Sequence, residues 1–167
     1  MTAGAIILAL VTLQRLAELL ISRRNTKALL ARGAREVAPG HYPLIVAVHA
    51  AWLASLWWLA PGKPIHWPLI GLFLLLQIGR LWVLATLRER WTTRIIVLPG
   101  APLVSHGPYR FLSHPNYVIV IAEIAILPLA FGLWQVALAF SLANAAVLAI
   151  RLAAESKALT ASAPPPD

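Results

Sequence analysis

The stretch Trp67–Leu87, WPLIGLFLLLQIGRLWVLATL, decides the fold, because it is almost wholly apolar and Arg80 is its single charged residue. A helix needs roughly 20 apolar residues to cross the hydrocarbon core of a bilayer. This stretch meets that length. The sequence therefore predicts a membrane-spanning helix here, with one arginine held inside the membrane.

Four more apolar runs flank this stretch, at about residues 3–21, 42–59, 116–130 and 133–153. The composition agrees, since 60% of the 167 residues are hydrophobic and 12% are charged. A soluble domain is nearer half apolar and a quarter charged. We predict an all-α polytopic membrane protein with about five transmembrane helices. We expect residues 1–160 to form one domain and the Pro-rich residues 161–167 to form a disordered tail.

The net charge of +8 is concentrated in two of the loops. The loop after the first apolar run carries Arg23, Arg24, Lys27, Arg32 and Arg35. The loop after the third run carries Arg88, Arg90, Arg94 and Arg110. The loop between the second and third runs has only Lys63, and the last hairpin has no charge. Basic loops stay in the cytoplasm. We predict an outside N-terminus and a cytoplasmic C-terminus, and we read the charge as a topology signal and not as a nucleic-acid surface.

Several common kinds of site are excluded or disfavoured. The chain has no cysteine, which excludes disulfides, thiolate metal sites and a cysteine nucleophile. No basic region precedes the first apolar run, so we expect a retained helix and no cleaved signal peptide. No Gly-x-Gly-x-x-Gly motif or phosphate loop is present. The histidines fit no common zinc spacing, and we predict no metal site.

The segment from residue 91 to residue 114 is too polar to span a membrane and too apolar for a free linker. Residues 94–98 could form a short extended run, and the Pro and Gly residues that follow break helices. A long irregular loop in a compact protein is more often functional than not. After it, Pro115 suits the first turn of a helix and Ser113 is a possible cap. The amides of that helix start favour an anionic group, such as a cofactor carboxylate.

Ionisable residues inside predicted spans are costly in lipid and mark candidate functional sites. Arg15 and Glu18 lie three residues apart on one helix face and can pair with each other. Glu123 needs a donor, which Arg80 or Arg15 could supply. Both a structural and a functional role stay open for Glu123.

Arg151 and Glu155 also share a helix face, since they are four residues apart near the cytoplasmic end of the last helix. As a plain pair of this spacing they would contribute only a few tenths of a kcal/mol. They lie, however, at the depth where His114 and Tyr117 begin the fourth helix. This coincidence makes the two residues candidates for a shared site.

These motifs resemble those of the isoprenylcysteine carboxyl methyltransferase family, and in particular its small bacterial members. Gly107-Pro108-Tyr109-Arg110 followed by His114-Pro115-Asn116-Tyr117 is similar to the family's G-x-Y…R-H-P-x-Y signature, and Arg151 and Glu155 match its later R-x-x-x-E-E. Ser113 and Ser156 depart from it, standing where the family has Arg and the second Glu. The upstream run at residues 91–100 and the stretches at 15–25 and 41–43 are similar to the bacterial branch.

The resemblance implies an S-adenosylmethionine-dependent methyltransferase acting on a lipophilic small molecule in the membrane. The acceptor group would be a hydroxyl on a phenolic or pyrone lipid, such as an alkylpyrone or alkylresorcinol, or a prenylcysteine-like carboxylate. Arg151 would face the group that is methylated. The residues implied to bind the cofactor are Leu103, Val104, Tyr109, His114, Pro115, Asn116, Tyr117 and Glu155.

Two other functions remain as alternatives. The first is a membrane reductase resembling the C-terminal part of sterol reductases, which would prefer a nicotinamide nucleotide. No extra basic pair clearly awaits a 2′-phosphate in this sequence. The second is a non-enzymatic membrane scaffold or transporter subunit, in which the polar loop is only a linker.

Overall fold

The computed structural model describes residues 3–162 and consists of five α-helices joined by short loops. The helices are α1 (Ala3–Ala31), α2 (Tyr42–Leu59), α3 (Trp67–Leu87), α4 (Pro115–Ala130) and α5 (Trp134–Ser162). Two short strands, β1 (Arg35–Glu36) and β2 (Ile96–Val97), pair antiparallel. Single 3₁₀ turns occur at Pro39–His41, Arg88–Arg90 and Gly107–Arg110. The predicted all-α architecture is confirmed.

Within the described residues, α1, α2, α3 and α5 are long and apolar enough to cross a membrane. The fourth helix has 16 residues, about 24 Å at 1.5 Å per residue, which is shorter than a hydrocarbon core of about 30 Å. Large apolar side chains remain exposed on the outer faces of the helices, among them Leu13, Leu75, Ile78 and Leu142. Lipid is the solvent that suits such a surface.

The helix bounds agree with the predicted runs for α2 and α3, whereas α1 and α5 are longer than predicted. The first helix continues ten residues beyond Ile21, to Ala31, and buries Ser22, Asn25 and Leu29 against the protein. Hydropathy detects the part of a helix that faces lipid and not its polar continuation in water. The same reason applies to α5, which runs through Ser162. The predicted tail from residue 161 therefore begins within a helix, and residues 163–167 lie outside the described residues.

The fourth helix is the centre of the bundle. It packs against α3 on one side and α5 on the other, and α2 in turn contacts α5. A tight turn joins α4 to α5, as predicted, with Gly132 in the left-handed region at φ 71° and its N–H bonded to the Leu129 carbonyl. Large buried side chains, including Trp52, Leu56, Ile124 and Phe131, form the apolar core at the end of the bundle that carries this turn.

Polar side chains of α1 fix the chain that follows α3. The Asn25 amide donates to the carbonyls of Arg88 (3.0 Å) and Trp91 (2.8 Å). Ser22 accepts from the Thr93 N–H at 2.8 Å and shares a 2.7 Å hydroxyl contact with the Thr93 side chain. The extended run predicted at residues 94–98 is present as β2, next to β1. These contacts set the position of Thr93, which faces the candidate site.

Candidate active site

The side chains of Arg151, Tyr117 and Glu155 meet where α4 begins and α5 approaches its C-terminal end. The sequence predicts that these ends face the cytoplasm. The Tyr117 hydroxyl donates to Glu155 Oε2 at 2.7 Å and accepts from Arg151 Nε at 2.7 Å. Arg151 Nη1 also donates to the Thr93 carbonyl at 2.6 Å. The hydroxyl thus links a cation to an anion, and charge-assisted hydrogen bonds of this kind fix side-chain geometry well. Three residues selected from the sequence therefore form one connected group.

The start of α4 places its polar side chains beside this group. His114 stacks on Tyr117 with ring centroids 5.1 Å apart and the rings nearly parallel. Pro115 occupies the first turn, as predicted. His114, and not Ser113, is the N-cap, and no side chain caps the helix, so the possible Ser113 cap is wrong. Pro115 has no N–H, and the N–H groups of Tyr117 and Val118 donate to the His114 carbonyl, so in the described part of the chain the Asn116 N–H is the free amide of this first turn.

The loop before α4 holds the remaining predicted cofactor residues. Arg90 Nη1 donates to the Pro102 carbonyl at 2.6 Å and anchors the loop. Leu103, next in sequence, is 78% exposed, and Val104 is half-buried. The structure thus places these two on an outer loop, and among the described residues neither forms a hydrogen bond or ion pair with Tyr117 or Glu155.

Tyr109 lies on the inner side of the same loop and packs against the cluster formed by Val83, Trp91 and Ile119. Burial, together with the nearby Glu155 carboxylate, raises the pKa of Tyr109 to about 12. Tyr109 therefore keeps its proton at neutral pH, and its hydroxyl can donate a hydrogen bond. Gly107 makes the close approach possible: it has φ 60°, and a Cβ at this position would lie 2.6 Å from Thr86 Oγ1.

A cavity of about 270 Å³ extends from Arg151 and Tyr117 into the bundle. Its walls are mostly apolar and come from all five helices and from residues 91–93 of the loop after α3. The polar residues that line it are Thr12, Arg15, Glu18, Tyr42, His49, Arg80, Thr92, Thr93, Asn116, Tyr117, Asn144 and Arg151. Leu16 and Val46 line the cavity and are also exposed on the outer surface. The cavity therefore reaches the lipid-facing surface between α1 and α2.

A buried ionic cluster lies deeper in the bundle. Glu123, fully buried, accepts from Arg15 Nη2 and Arg80 Nη1, each at 2.8 Å, and from Gln77 at 2.7 Å. Glu18 accepts from Arg80 Nε and Nη2 at 2.5 and 2.6 Å. Arg15 and Glu18 also pair at 3.3 Å, so the sequence-based pairing is confirmed. Glu123 has both donors that were considered for it.

Sequence reasoning missed several residues that the cavity brings together, notably Tyr42, His49, Thr93 and Asn144. Thr93 takes part through its backbone carbonyl, which no side-chain pattern reveals. A signal did exist for Asn144, because it is the one amide in the interior of the last apolar run and lies seven residues before Arg151 on the same helix face. Among the side chains that the structure describes, no three of His, Cys, Asp or Glu gather as a metal site.

The fold and the cavity define a helical integral membrane protein with a polar site at one end of a lipid-accessible pocket. The sequence profile of the isoprenylcysteine carboxyl methyltransferase (ICMT) family matches residues 69–161. The chain belongs to this family, which makes it a membrane methyltransferase in general terms. The match covers nearly all of α3, the irregular loop, α4 and nearly all of α5, and so includes Tyr117, Arg151 and Glu155.

Two relatives extend the likeness beyond that region. The uncharacterized protein YpbQ of Bacillus subtilis (strain 168) is 35% identical over 92% of this chain and 95% of its own length. An uncharacterized protein of Haemophilus influenzae (strain ATCC 51907 / DSM 11121 / KW20 / Rd) is 29% identical over 87% of this chain and 88% of its own length. No solved structure matches significantly.

Proposed function

We propose that the protein transfers a methyl group from S-adenosylmethionine to a lipophilic acceptor in the membrane. The observation that carries the proposal is the connected group Arg151–Tyr117–Glu155 at the polar end of a cavity that opens toward lipid. Family membership supplies the reaction class, and the cavity supplies a place for a lipid. The acceptor we favour is a hydroxyl of a phenolic or pyrone lipid, with a prenylcysteine-like carboxylate as the other chemical possibility.

The residues at the start of α4 suit a cofactor that carries hydroxyls, an ammonium and a carboxylate. Asn116 Oδ1 is buried and has no hydrogen-bond partner within the described part of the chain, so a ligand donor would satisfy it. Glu155 uses one oxygen for Tyr117 and keeps the other for a ribose hydroxyl or the ammonium. The free Asn116 N–H and the positive end of the α4 dipole favour a carboxylate. His114, Pro115, Tyr117 and Tyr109 would form the walls, with Leu103 and Val104 covering the outer side.

When bound, S-adenosylmethionine supplies an electrophilic methyl group. Arg151 acts on the acceptor, because its two hydrogen bonds to Tyr117 and Thr93 use two of its five N–H groups and the side chain lines the cavity. A guanidinium beside a phenolic or enolic hydroxyl lowers the pKa of that hydroxyl and favours the nucleophilic anion. Tyr117 and Thr93 hold the guanidinium in place, and correct positioning of the reactants supplies much of the rate.

The acceptor would enter sideways from the bilayer. Leu16 and Val46 mark the point where the cavity meets the lipid-facing surface between α1 and α2. Ile45, Val120 and Leu148 provide apolar walls beyond that point. An alkyl chain can therefore remain against apolar side chains and lipid while its polar head reaches Arg151.

Binding of the cofactor can be measured directly by isothermal titration calorimetry on the purified protein in detergent micelles. We expect saturable S-adenosylmethionine binding by the wild type. Glu155→Gln should weaken it about 10- to 100-fold, because a hydrogen bond to a charged group contributes about 1.5–3 kcal/mol. The matched control is Glu89→Gln, since the Glu89 carboxylate is 79% exposed on the same side of the protein. No saturable binding by a folded wild type would refute the cofactor assignment, and a preference for nicotinamide nucleotides would favour a reductase.

The site must face the cytoplasm to meet S-adenosylmethionine, and the basic loops predict that orientation. At the C-terminus we expect a reporter that works only in the cytoplasm to be active. A reporter that works only in the periplasm should be inactive there. A second reporter in the loop around Lys63, between α2 and α3, should give the opposite signal. A periplasmic signal from the C-terminal fusion would place the site on the wrong side and contradict the proposal.

A further inference from the structure

The end of the cavity away from Arg151 contains a polar side chain without a partner. Asn144 is 2% exposed and lines the cavity. No hydrogen bond joins its amide to another described residue, and the small part of the residue that stays open lies in the wall of the cavity. A buried amide that lacks partners is costly, and more so in a protein surrounded by lipid. The amide therefore calls for a ligand or water that both donates and accepts hydrogen bonds.

Two more polar residues line the same end of the cavity. His49 Nδ1 lies 2.9 Å from the Ile45 carbonyl. Since a carbonyl only accepts, Nδ1 carries the proton, and Nε2 of the neutral ring is an acceptor. Arg15 is the most exposed member of the ionic cluster, at 16% against 0–8% for the others, and its contacts to Glu18 and Glu123 use two of its five N–H groups. This end of the cavity thus offers both donors and an acceptor.

The distance between the two polar ends follows from helix geometry. Asn144 lies seven residues before Arg151 on α5, which is about 10 Å along one helix face. His49 lies seven residues after Tyr42 on α2, which gives the same interval. Apolar side chains, including Ile45 and Leu148, line the cavity between the two ends. Side chains on one helix all lean toward its N-terminus, so Asn144 and Arg151 lean the same way, and only the greater length of the arginine side chain can shorten the gap.

We infer that the cavity recognises a second oxygen group of the acceptor, a hydroxyl or a carbonyl, which binds to Asn144 and His49 while the reacting oxygen lies at Arg151. The acceptor is then a lipid with at least two oxygens within about 10 Å of each other, as set by the two helical turns between the ends. A hydroxyl fits best, because it donates to His49 Nε2 and accepts from Asn144 or Arg15 at once. This inference rests on the proposed function and specifies its substrate.

The test compares a long-chain resorcinol with the phenol of the same alkyl length that lacks the second hydroxyl. Equilibrium binding of each radiolabelled lipid to the purified full chain is measured first without S-adenosylmethionine, and KM for methyl transfer is measured second. We expect the wild type to bind the resorcinol about tenfold more tightly, the effect of one well-formed hydrogen bond. Asn144→Leu, similar in size and apolar, should reduce the difference to within about twofold. His49→Phe should reduce it in the same direction, and lipid-facing Leu142→Met should leave it unchanged.

Each outcome separates this inference from the proposed function. Equal affinity of the wild type for both lipids, or an Asn144→Leu variant that keeps the full preference, would overturn the inference and mean that Asn144 binds only water. Methyl transfer to both lipids with the same KM would also overturn the inference, and it would leave the methyltransferase proposal intact. Preferential resorcinol binding without any methyl transfer would support the second recognition point and sink the proposed reaction.

Discussion

Replacing Arg151 by Gln is expected to lower the rate of methyl transfer about 100- to 1000-fold, the usual effect of removing a donor that stabilises a reacting oxygen. Glutamine keeps an N–H donor and loses the charge that, in the proposed mechanism, ionises the acceptor. The loss should appear mainly in kcat, since the cavity walls that hold the alkyl chain are unchanged. The measurement is the initial rate of transfer of a labelled methyl group into a lipid extract.

Arg24→Gln is the matched control, because Arg24 is exposed on α1, outside the cavity lining, and the same charge is lost there. We expect this variant to retain wild-type activity. The melting temperature of both variants should be recorded, since Arg151 also ties α5 to Tyr117 and Thr93. A folded Arg151→Gln variant with more than half of the wild-type rate would exclude Arg151 from the chemistry.

Glu123→Gln is expected to destabilise the folded protein by about 3–5 kcal/mol, the typical cost of removing one partner from a buried ion pair. Glu18, Glu123, Arg15 and Arg80 form a balanced set of two anions and two cations. The substitution leaves one positive charge uncompensated inside the membrane. It also places an amide N–H₂ against donors, because all three bonds to Glu123 are donated by its neighbours. Thermal unfolding of the protein in detergent micelles measures the loss.

Glu89→Gln provides the comparison for an exposed pair. Its contact with Arg32 is 3.7 Å long and both side chains are mostly exposed, and such surface pairs contribute little. We expect no measurable change in its melting temperature. If Glu123→Gln unfolds at the same temperature as the wild type, the cluster does not hold α1, α3 and α4 together, and a functional role of Glu123 becomes the better explanation.

The apolar segments of this fold could be predicted from sequence because lipid imposes a simple rule on composition. That rule gave α2 and α3 their full bounds, and the single Arg80 in α3 indicated a buried partner. It failed where a helix leaves the membrane. Asn25 of α1 is buried and bonded to the chain that follows α3, and neither hydropathy nor charge predicts a helix held by that contact. Gly33, in the left-handed region at φ 88°, marks where the chain turns away.

The candidate site was predictable in its side chains and not in its backbone. Arg151 and Glu155 could be assigned to one face by spacing, and their depth matched that of Tyr117. The Thr93 carbonyl that fixes Arg151 depends on how Ser22 and Asn25 position a distant loop. His49 and Asn144 lie on two different helices, so only packing shows that they line one cavity. The spacing of residues within one helix does not predict which residues of different helices line the same cavity.

The most direct test of the central claim is methyl transfer by the purified protein itself. The protein is reconstituted in lipid vesicles with S-adenosylmethionine labelled in its methyl group and a panel of phenolic, pyrone, carboxylate and thiol lipids. The account predicts label in the organic extract with at least one oxygen acceptor, saturable in cofactor and abolished by Arg151→Gln. Absence of label from every lipid, with folded protein that also fails to bind the cofactor, would contradict it.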